Sequence, residues 1–193
     1  MAYNPPPRKI DPATVLSTLP RPGNLRIKIL SLGPENVGKS CLIKRYSEER
    51  FVSRYIPTIG IDYGVKKVVV DGRDVKVNFW DLSGSQEFFE VRNEFYKDGQ
   101  GALLVFDTNN AKSFQCLPGW VKEAAKYGAG PDMITFVVGN KTDIKKREVD
   151  ERQAKQWAAA QGFAYYEVSA NTGEGVTELF ESLFKEVLRA QKM

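Results

Sequence analysis

No histidine occurs anywhere in the 193 residues, which removes imidazole catalysis and His-ligated metal sites from consideration. Cysteine is nearly as scarce: Cys41 and Cys116 are the only two, too few for a disulfide framework or a four-sulfur zinc site. No apolar run approaches the ~18 residues of a membrane span, and the amino end, MAYNPPPRK, lacks the apolar stretch of a signal peptide. These absences lead us to expect a cytoplasmic protein. A net charge of +4, scattered along the chain, is too weak an excess to argue for nucleic acid as a partner. What is present suits one soluble domain with a sizeable core: 42% of the residues are hydrophobic and 27% charged.

Proline is unevenly spread. Six of the ten fall in residues 1–24, where no hydrophobic period survives, so that segment is expected to be a flexible tail ahead of a domain over 25–191. From Leu25 onward apolar strands alternate with helices. LRIKILSL is a β-rich run, residues 39–49 have helical spacing, and DYGVKKVVV and RDVKVNFWD flank Asp71-Gly72, the signature of a two-residue hairpin turn. GALLVFD, MITFVVG and FAYYEVS follow as further strands, with helices predicted near 111–127, from Asp150 to Gln161, and at the end of the chain. Asp150 with Gln153 has the spacing of a capping box, and Gly162 supplies a stop. Val176, Leu179, Phe180, Leu183, Phe184, Val187 and Leu188 form a core-facing stripe in the last helix. The expectation is an α/β fold with a six-stranded, mostly parallel sheet, one antiparallel edge hairpin strand and helices on both faces. Ligands bind such sheets beyond the carboxyl ends of the strands.

Gly33-Pro34-Glu35-Asn36-Val37-Gly38-Lys39-Ser40 fits G-x-x-x-x-G-K-[ST] and lies between a strand and a helix, as phosphate-loop chemistry requires. Backbone N–H groups among Gly33, Glu35, Asn36, Val37, Gly38, Lys39, Ser40 and Cys41 would converge on phosphate oxygens, and the next helix would point its positive end at the anion. Lys39 is placed to reach the β and γ phosphates and Ser40 to bind Mg²⁺. Asn140-Lys141-Thr142-Asp143, after the strand MITFVVG, points to guanine. The Asp143 carboxylate can accept from the paired donors of guanine's N1 and exocyclic amine, which adenine lacks. Asn140 can meet the far edge of the base and the Lys141 stem can cover the ring. An ATP-using kinase of the same fold is disfavoured for the same reason.

These motifs resemble those of the small GTPases, and within them the Rab-like branch, over about residues 25–190. The resemblance implies a first switch in FVSRYIPTIG, with Thr58 binding Mg²⁺ and sensing the γ phosphate, Phe51 packing edge-on against guanine and Tyr55 lying over the phosphates. It implies a second switch in WDLSG, with Asp81 holding the Mg²⁺ shell and Gly84 donating its N–H to the γ phosphate. It also implies a last guanine contact in EVSANTG, at Ser169, Ala170 and Asn171. FVSRYIPTIGIDYGVKK with FFEVRNEFYKD is most similar to Rab-like GTPases some of whose relatives carry a C-terminal J domain. A J domain needs a His-Pro-Asp turn, and this chain contains no histidine.

Two departures fall where hydrolysis would occur. The glutamine that usually follows the second-switch glycine is replaced by Ser85, with Gln86 one residue late. Glu35 stands where the family favours glycine or another small residue, so its carboxylate either faces the γ phosphate or turns to solvent. Like charges about 4 Å apart at an effective dielectric of 20 repel by ~4 kcal/mol. The resemblance therefore implies a GTP/GDP switch using Mg²⁺, with slow intrinsic hydrolysis carried by Lys39, Thr58, Gly84, Ser85 and Gln86; the alternative is a GTP-loaded binding module with negligible turnover. An effector, an exchange factor and an activating protein are the partners expected of a monomeric switch, acting on residues 52–60 and 82–92. Trp80, Phe88 and Phe89 suit either core or effector surface, and the run KKRE reads as a solvated loop. Neither Ala2 nor the ending KEVLRAQKM offers a lipid site, so no direct lipid anchor is expected.

Overall fold

The computed structural model describes residues 25–191, and the expected Pro-rich tail at 1–24 lies outside the described residues. Strands β1 (Leu25–Leu32), β2 (Ile61–Val70), β3 (Arg73–Leu82), β4 (Gly101–Asp107), β5 (Ile134–Asn140) and β6 (Ala164–Glu167) form one sheet in the order β2-β3-β1-β4-β5-β6. Every neighbouring pair is parallel except β2 and β3. Their hairpin closes where Val70 pairs with Arg73, and Asp71 (φ 48) and Gly72 (φ 76) both sit in the left-handed region that a two-residue turn of this hand demands.

Alternation along the central strands divides the core in two. Ile27 and Ile29 of β1, Val77 and Phe79 of β3, Leu103 and Val105 of β4, and Phe136 and Val138 of β5 face one layer. Leu30 and Leu32, Leu82, Leu104 and Phe106, and Val137 face the other. Both layers are covered by helices, which is why these strands read as nearly unbroken apolar runs. The first layer meets α1 (Lys39–Glu48) and the C-terminal Val176–Ala190 helix, all seven of whose stripe residues are buried. Tyr46 of α1 stacks on Phe180 at 4.5 Å, and Phe180 stands edge-on to Phe79 at 5.7 Å.

The second layer meets helices that the sequence outlines less well. After the one-turn Gln86–Phe88 3₁₀ segment comes the short α2 (Phe89–Asn93). The single helix expected near 111–127 is two, α3 (Ala111–Gln115) and α4 (Leu117–Lys126). Asn110 caps α3 by accepting from the N–H groups of Lys112 and Ser113. Pro118 has no N–H to continue the α3 ladder, and Gly119 instead donates to Cys116 at 3.0 Å, so the chain restarts as α4. In α5 (Glu151–Ala160) Asp150 accepts from the Gln153 N–H at 3.0 Å, and Gly162 ends the run at φ 76. The Val176–Ala190 helix is α6. Among the described residues, no helix is long and apolar enough to cross a membrane.

Phe180 touches strand and helix aromatics at once, so Phe180→Ala should lower unfolding stability by about 3–5 kcal/mol, measured by urea denaturation followed by circular dichroism.

Candidate nucleotide site

A cleft of about 620 Å³ opens at the carboxyl ends of β1, β4 and β5, with Gly38, Lys39, Asn140 and Asp143 among its walls. The loop leaving β1 is held by two close approaches. A Cβ on Gly33 (φ 128) would stand 2.2 Å from the Val105 carbonyl oxygen, and one on Gly38 (φ 93) would stand 2.4 Å from Asn140 Nδ2. Only glycine fits either place, because both φ values are left-handed and the obstacles are close. The Lys39 ammonium arches back over the loop and donates to the carbonyls of Gly33 and Pro34, both at 2.8 Å. Burial lowers its pKa to about 8, against the opposing pull of Asp81.

Three oxygens meet beside the loop. Ser40 Oγ donates to Asp81 Oδ2 at 2.5 Å and lies 3.0 Å from Thr58 Oγ1, which is itself 3.4 Å from Asp81 Oδ2. The other Asp81 oxygen accepts from Ser31 Oγ at 2.5 Å, so the carboxylate is oriented from behind by β1. Two hydroxyls and one carboxylate are hard donors of the kind Mg²⁺ accepts when phosphates and waters complete its shell. The donor set therefore fits that ion.

At the opposite end, Asn140 is only 1% exposed and joins three loops. Its Nδ2 donates to the Val37 carbonyl at 2.8 Å and its Oδ1 accepts from the Ala170 N–H at 3.1 Å. One N–H and one lone pair remain for a ligand. Lys141, at φ 67, crosses the phosphate loop to donate to the Asn36 carbonyl at 2.7 Å and pairs with Asp107 at 2.8 Å. Asp143 accepts from Ser169 Oγ at 2.6 Å and Asn171 Nδ2 at 2.9 Å. Burial pushes its carboxyl upward, but those two hydrogen bonds, a backbone N–H and the nearby Lys141 charge together hold the group below the ordinary carboxylate range.

The residues proposed from sequence thus fall into a wall and a supporting layer. Glu35, Asn36, Gly38, Lys39, Ser40, Cys41, Phe51, Tyr55, Thr58, Gly84, Ser85, Asn140, Lys141, Asp143, Ala170 and Asn171 line the cleft. Gly33, Val37, Asp81 and Ser169 are buried behind it and act through the groups they hold. Glu35 faces the cleft and, after burial, is the second cause of a raised Tyr55 phenol. The Ser85 hydroxyl accepts from the Glu87 N–H at 3.4 Å, capping its own turn, while Gln86 is exposed and Glu87 takes a place in the lining. Phe88 lines the cleft as well; Phe89 packs on Tyr127 at 5.6 Å, and half-buried Trp80 lies between Tyr63 and Phe95.

Two supporting residues carried no motif. Arg45 donates to the carbonyls of Ala170 at 2.8 Å and Asn171 at 2.5 Å, and its guanidinium lies 6.0 Å from the Phe51 ring. In sequence it is one basic residue on the polar side of a helix. Asp107 was open to inference, because it ends β4 in register with Asn140 and the ends of adjacent parallel strands share one rim.

A phosphate loop, a converging oxygen triad and an acid-bearing loop at one sheet edge define a nucleotide-binding domain of the P-loop class. The chain belongs to the Ras family, whose family model matches residues 28–189. Ras-family GTPases bind GTP or GDP with Mg²⁺. The chain is 51% identical over 171 residues to DnaJ homolog subfamily C member 27 of Gallus gallus, covering 86% of this chain and 62% of that protein. The Homo sapiens protein of the same name is 50% identical over 166 residues, covering 83% and 61%. The Xenopus laevis protein DnaJ homolog subfamily C member 27-A is 49% identical over 170 residues, covering 85% and 62%. The chain thus spans about three fifths of the length of these curated relatives. Their name, DnaJ homolog, bears out the expected likeness to GTPases some of whose relatives carry a J domain.

Asp143→Asn should weaken GDP and GTP by a few kcal/mol and shift preference towards xanthine nucleotides, whose C2 carbonyl suits an amide donor. Competition against a fluorescent guanine nucleotide measures both changes; unchanged guanine affinity would remove Asp143 from the base contact.

Proposed function

We propose that this chain is a Rab-like, guanine-nucleotide-dependent switch in which GTP and Mg²⁺ order residues 52–60 and 82–92 for a protein partner. The observation that carries the proposal is the meeting of Ser40, Thr58 and Asp81 within hydrogen-bonding distance. It ties the phosphate loop, the first switch and the end of β3 to one point, so whatever occupies that point governs the first switch. Ser40, Thr58 and Asp81 would hold Mg²⁺, which would neutralise charge on the bridging phosphates. Lys39 would turn from its two carbonyls to the β and γ phosphates, and the Gly84 N–H would meet the γ phosphate. Asp143, steadied by Ser169 and Asn171, would read guanine, with Asn140 on its far edge, the Lys141 stem and Phe51 around the ring, and Tyr55 over the phosphates.

An effector, an exchange factor and an activating protein would act on the switch segments. The exposed apolar side chains Ile56 and Ile59 lie in the first of these segments, with exposed Tyr63 just beyond it on β2, and they suit protein contact. Cytoplasmic residence, a monomeric state and membrane recruitment through a protein partner complete the proposal.

A second reading, a GTP-loaded binding module with negligible hydrolysis, is favoured by the catalytic corner. Ser85 spends its hydroxyl on its own turn, Gln86 is exposed and not part of the lining, and Glu35 brings negative charge to the cleft. Single-turnover hydrolysis together with the nucleotide content of the purified protein separates the two. We expect turnover at or below ~10⁻⁴ per second, raised by Ser85→Gln and further by adding Glu35→Gly. Faster turnover in the unmodified protein would mean that Glu35 or Gln86 assists. Ser40→Asn should lower the GTP-to-GDP affinity ratio in Mg²⁺, read by the same competition assay; an unaltered ratio would count against Ser40 as a metal ligand.

A further inference from the structure

Arg92 lies on α2, outside the cleft, and is 2% exposed. A guanidinium that deeply buried is tolerated only when its charge and its donors are met. Nε and Nη2 form a fork onto Glu123 of α4, at 2.6 Å and 2.9 Å. The plane lies 4.4 Å from the Trp120 ring centroid and 5.3 Å from that of Phe89. Tyr96 donates to the same Glu123 oxygen at 2.5 Å, so the carboxylate is fixed as well. Nη1, left free by the fork, reaches the Ser85 carbonyl at 2.6 Å and the Ser83 carbonyl at 3.5 Å.

Those carbonyls stand on either side of Gly84. On its other side Gly84 is against the phosphate loop, where a Cβ would come 2.2 Å from the Glu35 nitrogen and 2.3 Å from the Pro34 carbonyl carbon. The peptide expected to meet the γ phosphate is therefore gripped from both sides, by the loop within the cleft and by Arg92 from beneath. We propose that Arg92, anchored on Glu123, is a positioning residue that sets the Ser83–Ser85 backbone and so selects triphosphate over diphosphate. The inference rests on the proposed reading of the cleft as a guanine-nucleotide site. It assigns α4, which contributes nothing to the cleft wall, a share in nucleotide discrimination.

A purely structural ion pair would act differently. Its loss would lower stability and weaken both nucleotides alike, since the base-binding loops serve GDP and GTP equally. A positioning role acts on the γ-phosphate side alone.

The test uses the full chain and its Arg92→Met, Arg92→Lys and Glu123→Gln variants. Affinities for GDP and for the slowly hydrolysed GTPγS are measured by competition in Mg²⁺, with thermal unfolding recorded alongside. Arg92→Met should lower the GTPγS-to-GDP affinity ratio about tenfold, the scale of one charge-assisted hydrogen bond, while GDP affinity stays within about twofold. Arg92→Lys, which keeps the charge but not the fork, should fall between, and Glu123→Gln should shift the ratio in the same direction by less. If Arg92→Met does not fold, Glu123→Gln decides alone, because it keeps the side-chain volume and one acceptor. An unshifted ratio overturns the positioning role, whether or not the melting temperature falls. Failure of the unmodified protein to bind either guanine nucleotide overturns this inference together with the functional proposal, whereas normal binding with an unshifted ratio overturns the inference only.

Discussion

Strand β1 runs parallel to β3 on one side and β4 on the other, and this shared direction forces the carboxyl ends of all three onto one rim. The chain leaving Leu32 cannot pair further and must turn at once into α1. That turn is possible only with glycine at 33 and 38, since Val105 and Asn140 leave no room for a side chain. Asp81 at the end of β3, Asp107 at the end of β4 and Asn140 at the end of β5 then come to the same rim without any further device. The sheet direction thus precedes the site: residues far apart in sequence become neighbours because strands of one sense end together.

The rim is held rigid by polar groups that bridge loops. Asn140 joins the phosphate loop to the Ser169–Asn171 loop; Lys141 joins it to β4; Arg45 joins α1 to the Ala170 and Asn171 carbonyls. Each satisfies a backbone carbonyl that water would otherwise have to reach, and each ties two loops of the wall together. Loops fixed in this way present their remaining donors and acceptors without being ordered by the ligand first, which lowers the entropic cost of binding.

Most of this was legible in the sequence because short-range patterns encode it. The phosphate loop, the hairpin turn at Asp71-Gly72 and the α6 stripe each depend on neighbours within a few residues, and each appears in place. The helix expected near 111–127 failed through one atom's absence, the N–H that Pro118 lacks, whose effect a hydrophobic period does not register. Arg45 and Arg92 were invisible for a different reason. Their partners are 125 and 31 residues away, and a basic residue on a helix looks the same whether it faces water or a buried carbonyl. Asp107 lies between these cases, since parallel register predicts its rim but not its pairing with Lys141.

The binding wall and the hydrolytic corner are built to different standards. Asn140 and Asp143 each engage two protein partners, and Asp81 is oriented from behind by Ser31. At the corner, Ser85 is held through its carbonyl by Arg92 at 2.6 Å, while its hydroxyl makes only a 3.4 Å contact with Glu87 N–H. The backbone there is gripped closely and the side chain only loosely, through the cap of its own turn. Nucleotide sensing through the Gly84 peptide needs a fixed backbone, whereas water positioning needs a fixed side chain of sufficient reach. On the proposed reading, a corner of this construction would respond to a γ phosphate while doing little to cleave it, and the fork between Arg92 and Glu123 would separate the two properties.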